Sequence, residues 1–167
     1  MEKETNLKRL KKGDLIGIVS PSDPLENIKE DKQFDSGIKF LESLGFKIVL
    51  GENISAKEPE KRAEDINKFF RDIKVKAIIA SQGGDSAEKL LPCIDFESIK
   101  RNPKIFLGIS DITVLLNAIN AKTGLVTFHG NDIKRGFGRN PTAYDKNEFV
   151  RMLMKDVKGE IPANGER

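Results

Sequence analysis

The 167-residue sequence has one cysteine, one histidine and no tryptophan. A lone cysteine, Cys93, excludes an internal disulfide and a cysteine-based zinc site. Set among Leu90, Leu91 and Ile94, it reads as a small buried hydrophobe. Neither G-x-G-x-x-G nor G-x-x-x-x-G-K-[ST] occurs, which removes the dinucleotide and P-loop readings. No apolar run reaches transmembrane length, and the charged start, residues 1–12, has no apolar signal core. The expectation is a cytoplasmic protein with no membrane contact, no cofactor and no metal.

Charge of one sign is also scarce. The 29 basic and 26 acidic residues leave a net +3, and both signs are spread along the chain. That is a solvated surface and argues against nucleic acid as a partner. The length fits one domain, or one plus a tail, and is enough to bury a core unaided.

Short apolar runs alternate with helical periodicity. Residues 15–20 (LIGIVS) read as a buried first strand, closed by Pro21-Ser22-Asp23-Pro24. Phe34, Ile38, Leu41 and Leu44 recur at helical spacing before Gly45. Residues 46–50 form a second strand, and residues 60–73 a helix with Ala63, Ile66, Phe69 and Phe70 on one face. Further strands are predicted over 75–80, 104–109 and 125–128. Helices are predicted through Leu90 and Leu91, ending before Pro92, and over 112–121; residues 94–100 are ambiguous. This order predicts an α/β fold with a doubly wound, mostly parallel sheet, Rossmann-like or flavodoxin-like in three layers. Such sheets bind ligands beyond the carboxyl ends of their strands. That brings the loops 20–23, 81–86 and 108–111 to one rim. After Phe128 the periodicity fades, and residues 145–155 could form one more amphipathic helix.

Two segments carry candidate chemistry. In Gly108-Ile109-Ser110-Asp111 a serine stands where an apolar strand turns into a helix. Its hydroxyl could project over the sheet edge toward free helix N–H groups; equally, Ser110 or Asp111 could only cap the helix. The pattern is not G-x-S-x-G, because Ile112 fills the last place. In Gln82-Gly83-Gly84-Asp85-Ser86, adjacent glycines let the backbone approach a ligand or an oxyanion, or simply make a turn. A serine nucleophile needs a base. It must be His129, with Asp132 orienting it, or lie outside this chain.

Four ordered segments are familiar together. They are Lys12-Gly13-Asp14 with Ile18-Val19-Ser20-Pro21-Ser22; Gly83-Gly84-Asp85-Ser86 with Leu90-Leu91-Pro92 and Asp95; residues 104–113 around Ser110; and residues 122–130 ending in His129-Gly130. Over roughly residues 10–155 the chain resembles the N-terminal domain of the LD-carboxypeptidase family, serine peptidases that include the microcin C immunity peptidases. The resemblance implies that Ser110 is the nucleophile and that the backbone N–H groups of Asp111 and Gly84 form the oxyanion hole. It places Gly83, Asp85, Ser86 and Ser20 around the substrate. The recycling branch of the family has Gly-Gly-Tyr-Gly after an arginine. Gln82 and Asp85 stand in those places here, closer to the microcin immunity branch, and Ile109 replaces a common tyrosine. Family members are about twice as long and carry a catalytic glutamate and histidine in a C-terminal domain. His129 does not match that base. The implied division is an arm over 1–12, a nucleophile-bearing α/β domain over 13–130, and a connector with the start of a missing domain over 131–167. The expected substrate is a small peptide or aminoacyl compound with a free carboxylate, and the chain alone is expected to be inactive; the alternative is a non-catalytic small-ligand or partner-binding domain. A homodimer is implied, and Val126, Phe128, Phe137, Phe149 and Met152 are candidates for an exposed apolar face.

Overall fold

Five apolar runs become five strands of one parallel sheet. In the computed structural model, which describes residues 7–155 and 159–165, these are β1 (Leu15–Val19), β2 (Lys47–Leu50), β3 (Val75–Ala80), β4 (Ile105–Gly108) and β5 (Phe128–His129). Their order is β2-β1-β3-β4-β5, with every pair parallel. This is the doubly wound order in which the direction of winding reverses between β1 and β3, so a crevice opens at their carboxyl ends.

The helices are α1 (Lys32–Ser43), α2 (Pro59–Arg71), α3 (Phe96–Arg101), α4 (Thr113–Thr123) and α5 (Ala143–Leu153). Strand alternation divides the core in two. Ile16, Ile18, Ala77, Ile79, Ile105 and Leu107 pack with α1, α5 and the π-helical turn Ile133–Phe137. Val19, Ile78, Ala80 and Phe106 pack with α2, α3 and α4. Strands buried on both faces read as continuous apolar runs, which is why all but β5 are plain in the sequence.

Local differences from the sequence reading have simple causes. The fifth strand begins later than predicted, because Leu125 is buried in the core and Thr127 bonds the Leu116 carbonyl at 3.2 Å. Residues 96–101 resolve as a helix, with Asp95 as its cap accepting from the Ser98 amide at 2.8 Å. The short helix before β4 is 3₁₀, Ala87–Cys93, and runs through Pro92 instead of stopping ahead of it.

The expected apolar face needs correction. Phe137 and Phe149 are buried, with Phe137 stacked on Phe40 at 4.8 Å and edge-on to Phe149 at 5.5 Å. The turn Ile133–Phe137 and α5 lie on the sheet, so these rings complete the α1 layer. Of the five candidates only Val126 and Met152 are exposed, at 45% and 39%. Of residues 1–12, those numbered 1–6 lie outside the described residues. Leu10 is buried, and its amide donates to the Leu153 carbonyl at 2.8 Å.

Lys104, just before β4, is buried with its ammonium on the Phe69 carbonyl at 2.7 Å and on the Asp72 carbonyl, closing the end of α2. Burial pushes its pKa down to about 8 from 10.5, outweighing the attraction of Asp72. Below about pH 8 both folded and unfolded chains hold this proton, and the folded one bears the cost of a buried charge. Between about pH 8 and 10.5 the unfolded chain keeps the proton and the folded chain releases it, so this group adds stability as pH rises. Urea unfolding at pH 7.5 and pH 10 should therefore show the natural chain gaining on Lys104→Met by about 1 to 2 kcal/mol, after allowance for solvent screening. A pH-independent difference would refute the assignment.

Candidate active site

The tight corner after β4 sets the site. Gly108 has no room for a side chain, since a Cβ there would lie 2.5 Å from Cγ2 of Ile112 and 3.3 Å from Cβ of Ala80. The chain leaves the strand through an extended Ile109 (φ −141°) and reverses at Ser110, whose φ is +61°. A non-glycine residue in the left-handed region is strained, by roughly 1–2 kcal/mol. A 3₁₀ turn, Ser110–Ile112, then feeds α4. The result is a strand–turn–helix elbow that presents an exposed serine above the sheet edge.

The β3 loop meets this elbow. A Cβ on Gly83 would stand 3.1 Å from Ser110 Cβ and 3.4 Å from its Oγ, so glycine permits the contact. The Gly83 amide faces the carboxylate of Asp132. Gly84 follows Gly83 in the same loop, and Asp111 follows Ser110 at the elbow.

Asp111 also has a side-chain task. Its Oδ2 accepts from Ser22 Oγ at 2.5 Å and from the Ala87 amide at 2.8 Å, tying the β1, β3 and β4 loops together. Ser86 extends the tie: its Oγ donates to the Ser22 carbonyl at 3.0 Å and accepts from Arg62 Nη2 at 3.2 Å. Arg62 is buried on α2, with Nη1 on the Ala56 and Lys57 carbonyls at 2.9 and 2.6 Å. Burial pulls its pKa down, against the nearby charges of Asp23, Glu60 and Glu58.

The other sequence candidates divide. Ser20 is buried, and its Oγ shares a 2.8 Å hydrogen bond with Ser81 Oγ, which ties the ends of β1 and β3 beneath the rim. Asp85 is exposed beside Gly84. Gln82 is buried and its Nε2 reaches the Asp23 and Pro24 carbonyls at 3.4 and 3.1 Å. His129, exposed at the end of β5, lines a separate cavity of about 320 Å³ with Phe128, Tyr144 and Met152. Asp132 is buried and accepts from the Arg135 and Gly136 amides at 2.7 and 2.8 Å. Burial raises its pKa, and those amides partly oppose the rise. It is the cap of the π-helical turn, so the compact Ser110–His129–Asp132 triad is not assembled. Among the described residues the Ser110 hydroxyl has no hydrogen-bonded base, and no cluster of His, Cys, Asp or Glu could hold a metal.

The sequence reading brings the loop 20–23 to the rim but gives Ser22 and Asp23 no role, and it misses Arg62, although Arg62 shares a helical face with Ile66 and Phe69, where an exposed arginine does not belong.

Comparison with known proteins places this geometry. The profile of the LD-carboxypeptidase N-terminal domain matches residues 16–130. A "Probable murein peptide carboxypeptidase" of Bacillus subtilis (strain 168) is 39% identical over 137 residues, 78% of this chain and 42% of that protein. The "Microcin C7 self-immunity protein MccF" of Escherichia coli is 35% identical over 156 residues, covering 88% of this chain and 45% of its own. A solved structure of MccF in complex with aspartyl sulfamoyl adenosine superposes with a TM-score of 0.83 at 34% identity, over 92% of this chain and 48% of that one. The chain spans about half the length of the curated relatives it matches. An elbow serine on this sheet, together with these matches, shows that the chain belongs to the LD-carboxypeptidase family, to its N-terminal domain.

Proposed function

We propose that this chain is the nucleophile-bearing half of a serine carboxypeptidase or amidase that cleaves an amide near a free carboxylate. The observation that carries the reading is Ser110 at φ +61°, pressed against Gly83 at the rim. Strain of this kind persists where the surroundings enforce it, and it clusters at functional sites. In the proposed reaction a base from outside this chain takes the Ser110 proton. Oγ bonds to the substrate carbonyl carbon, and the amides of Gly84 and Asp111 hold the resulting oxyanion. The leaving amine departs with a proton, and water then hydrolyses the acyl-serine.

The substrate proposed is an aminoacyl compound or small peptide, closer to the microcin C type than to murein. Gln82 and Asp85 support that choice, as does the aspartyl sulfamoyl adenosine held by the MccF structure. Asp85 and Ser86 border the same rim. Cytoplasmic location and a homodimer belong to this proposal; no helix among the described residues is long and apolar enough to cross a membrane.

The test is hydrolysis of aspartyl sulfamoyl adenosine by the isolated chain and by the chain joined to the second half of the Bacillus subtilis relative. Turnover should sit at background in the first and appear in the second, where His129→Ala leaves it unchanged. Turnover by the isolated chain that His129→Ala removes would replace this mechanism with a compact triad. Silence in both forms would favour a non-catalytic ligand-binding domain.

A further inference from the structure

Asp23 is a carboxylate at the rim that receives no hydrogen bond among the described residues. It lies in the β1 loop, half-buried. Its position is nonetheless constrained. Gln82 holds the loop through the Asp23 and Pro24 carbonyls at 3.4 and 3.1 Å. The carboxylate rests on Gly84, where a Cβ would stand 2.1 Å from Asp23 Oδ1 and 2.2 Å from its Cγ. Gly84 thus serves two neighbours: its amide is a candidate oxyanion donor, and its bare Cα admits a carboxylate. Arg62, whose charge Asp23 attracts, is buried and bonded to the Ala56 and Lys57 carbonyls and to Ser86.

A negative charge one residue from an oxyanion hole is costly for the proposed chemistry. It opposes the charge that develops on the carbonyl oxygen, and it repels a substrate carboxylate. A substrate that places a cation between the two turns this cost into selection. In an aminoacyl compound the α-ammonium is attached to the carbon next to the reacting carbonyl. Bound with its carbonyl oxygen at the Gly84 and Asp111 amides, such a substrate can present that ammonium to the carboxylate that rests on Gly84. We infer that Asp23 is the specificity-determining residue of this site, binding the free α-ammonium of an aminoacyl substrate and penalising analogues that lack it. This rests on the reading of Ser110, Gly84 and Asp111 given above.

The experiment uses the chain as it is. Amide NMR spectra of the isotopically labelled protein are recorded during titration with aspartyl sulfamoyl adenosine and with its desamino counterpart. Both should move the Gly84 and Asp111 signals, the aminoacyl compound binding about tenfold or more tightly. Asp23→Asn, whose spectrum also reports its folding, should bring the two affinities together. Equal affinities for the natural chain, or a preference that survives Asp23→Asn, would overturn the role of Asp23 and leave the oxyanion site standing. No movement of Gly84 or Asp111 with either compound would overturn both.

Discussion

Ser110→Gly should make this chain more stable while abolishing the hydrolysis proposed for its joined form. Ser110 holds φ +61° at the corner between β4 and α4. A side chain in that region costs roughly 1–2 kcal/mol, which glycine does not incur. Glycine also loses more backbone entropy on folding, which returns about half of the gain. The net expectation is a gain of roughly 0.5–1 kcal/mol, read as a higher urea midpoint at unchanged slope. Ser110→Ala keeps the Cβ and the strain, so its midpoint should stay near that of the natural chain. In the form joined to a second half, both substitutions should lower amide hydrolysis by about 10³-fold or more, because each removes the proposed nucleophile. Opposite movement of stability and turnover is the signature of strain kept for function. A destabilised Ser110→Gly would instead make the serine a structural part of the turn.

How much of this was legible follows from what each residue responds to. The strands and most helices answer to local apolar spacing, so they could be read directly. Ser110 could be placed at a strand end for the same reason. Its positive φ could not, because nothing in a serine demands it; that conformation belongs to a corner where Gly108 packs tightly against Ile112 and Ala80. Ser20 shows the limit of reasoning from loop position. It ends a strand, as Ser110 does, but its hydroxyl turns inward to Ser81. Asp132 reads as a partner for His129 three residues away, whereas its carboxylate is taken by the amides of its own turn. The pairing of Ser22 with Asp111 joins residues 89 apart, and only the sheet order brings them together. The roles proposed for Ser110 and for the Gly84 and Asp111 amides came from the family resemblance, since composition and spacing left them open.

The second large effect lies away from the hydroxyl. Gly37→Ala should destabilise the chain although it places a better helix former inside α1. Gly37 is buried where α1 crosses the turn Ile133–Phe137, and a Cβ there would stand 2.1 Å from the Ile133 carbonyl oxygen and 2.9 Å from its carbon. Gly138 makes the reciprocal approach, with a Cβ 2.1 Å from the Gln33 carbonyl oxygen. Backbone meets backbone at both points, so no rotamer change can relieve the clash. Alanine gains about 1 kcal/mol of helix propensity over glycine. Against this, forcing α1 off the turn costs about 1–3 kcal/mol as overpacking, and the loss of Asp132 capping adds about 1 kcal/mol. The net loss expected is about 1–3 kcal/mol, measured by urea unfolding. The damage should also reach the site, because Lys134 donates its amide to the Ser81 carbonyl at 2.9 Å and Asp132 faces the Gly83 amide. Amide exchange at Gly83 and Gly84 should therefore quicken in Gly37→Ala. Exchange in α3, packed on the opposite face of the sheet, should change least. A Gly37→Ala chain as stable as the natural one, with unaltered exchange at Gly83, would mean that α1 can shift without carrying the turn, and that the loop 81–86 is held by β3 alone.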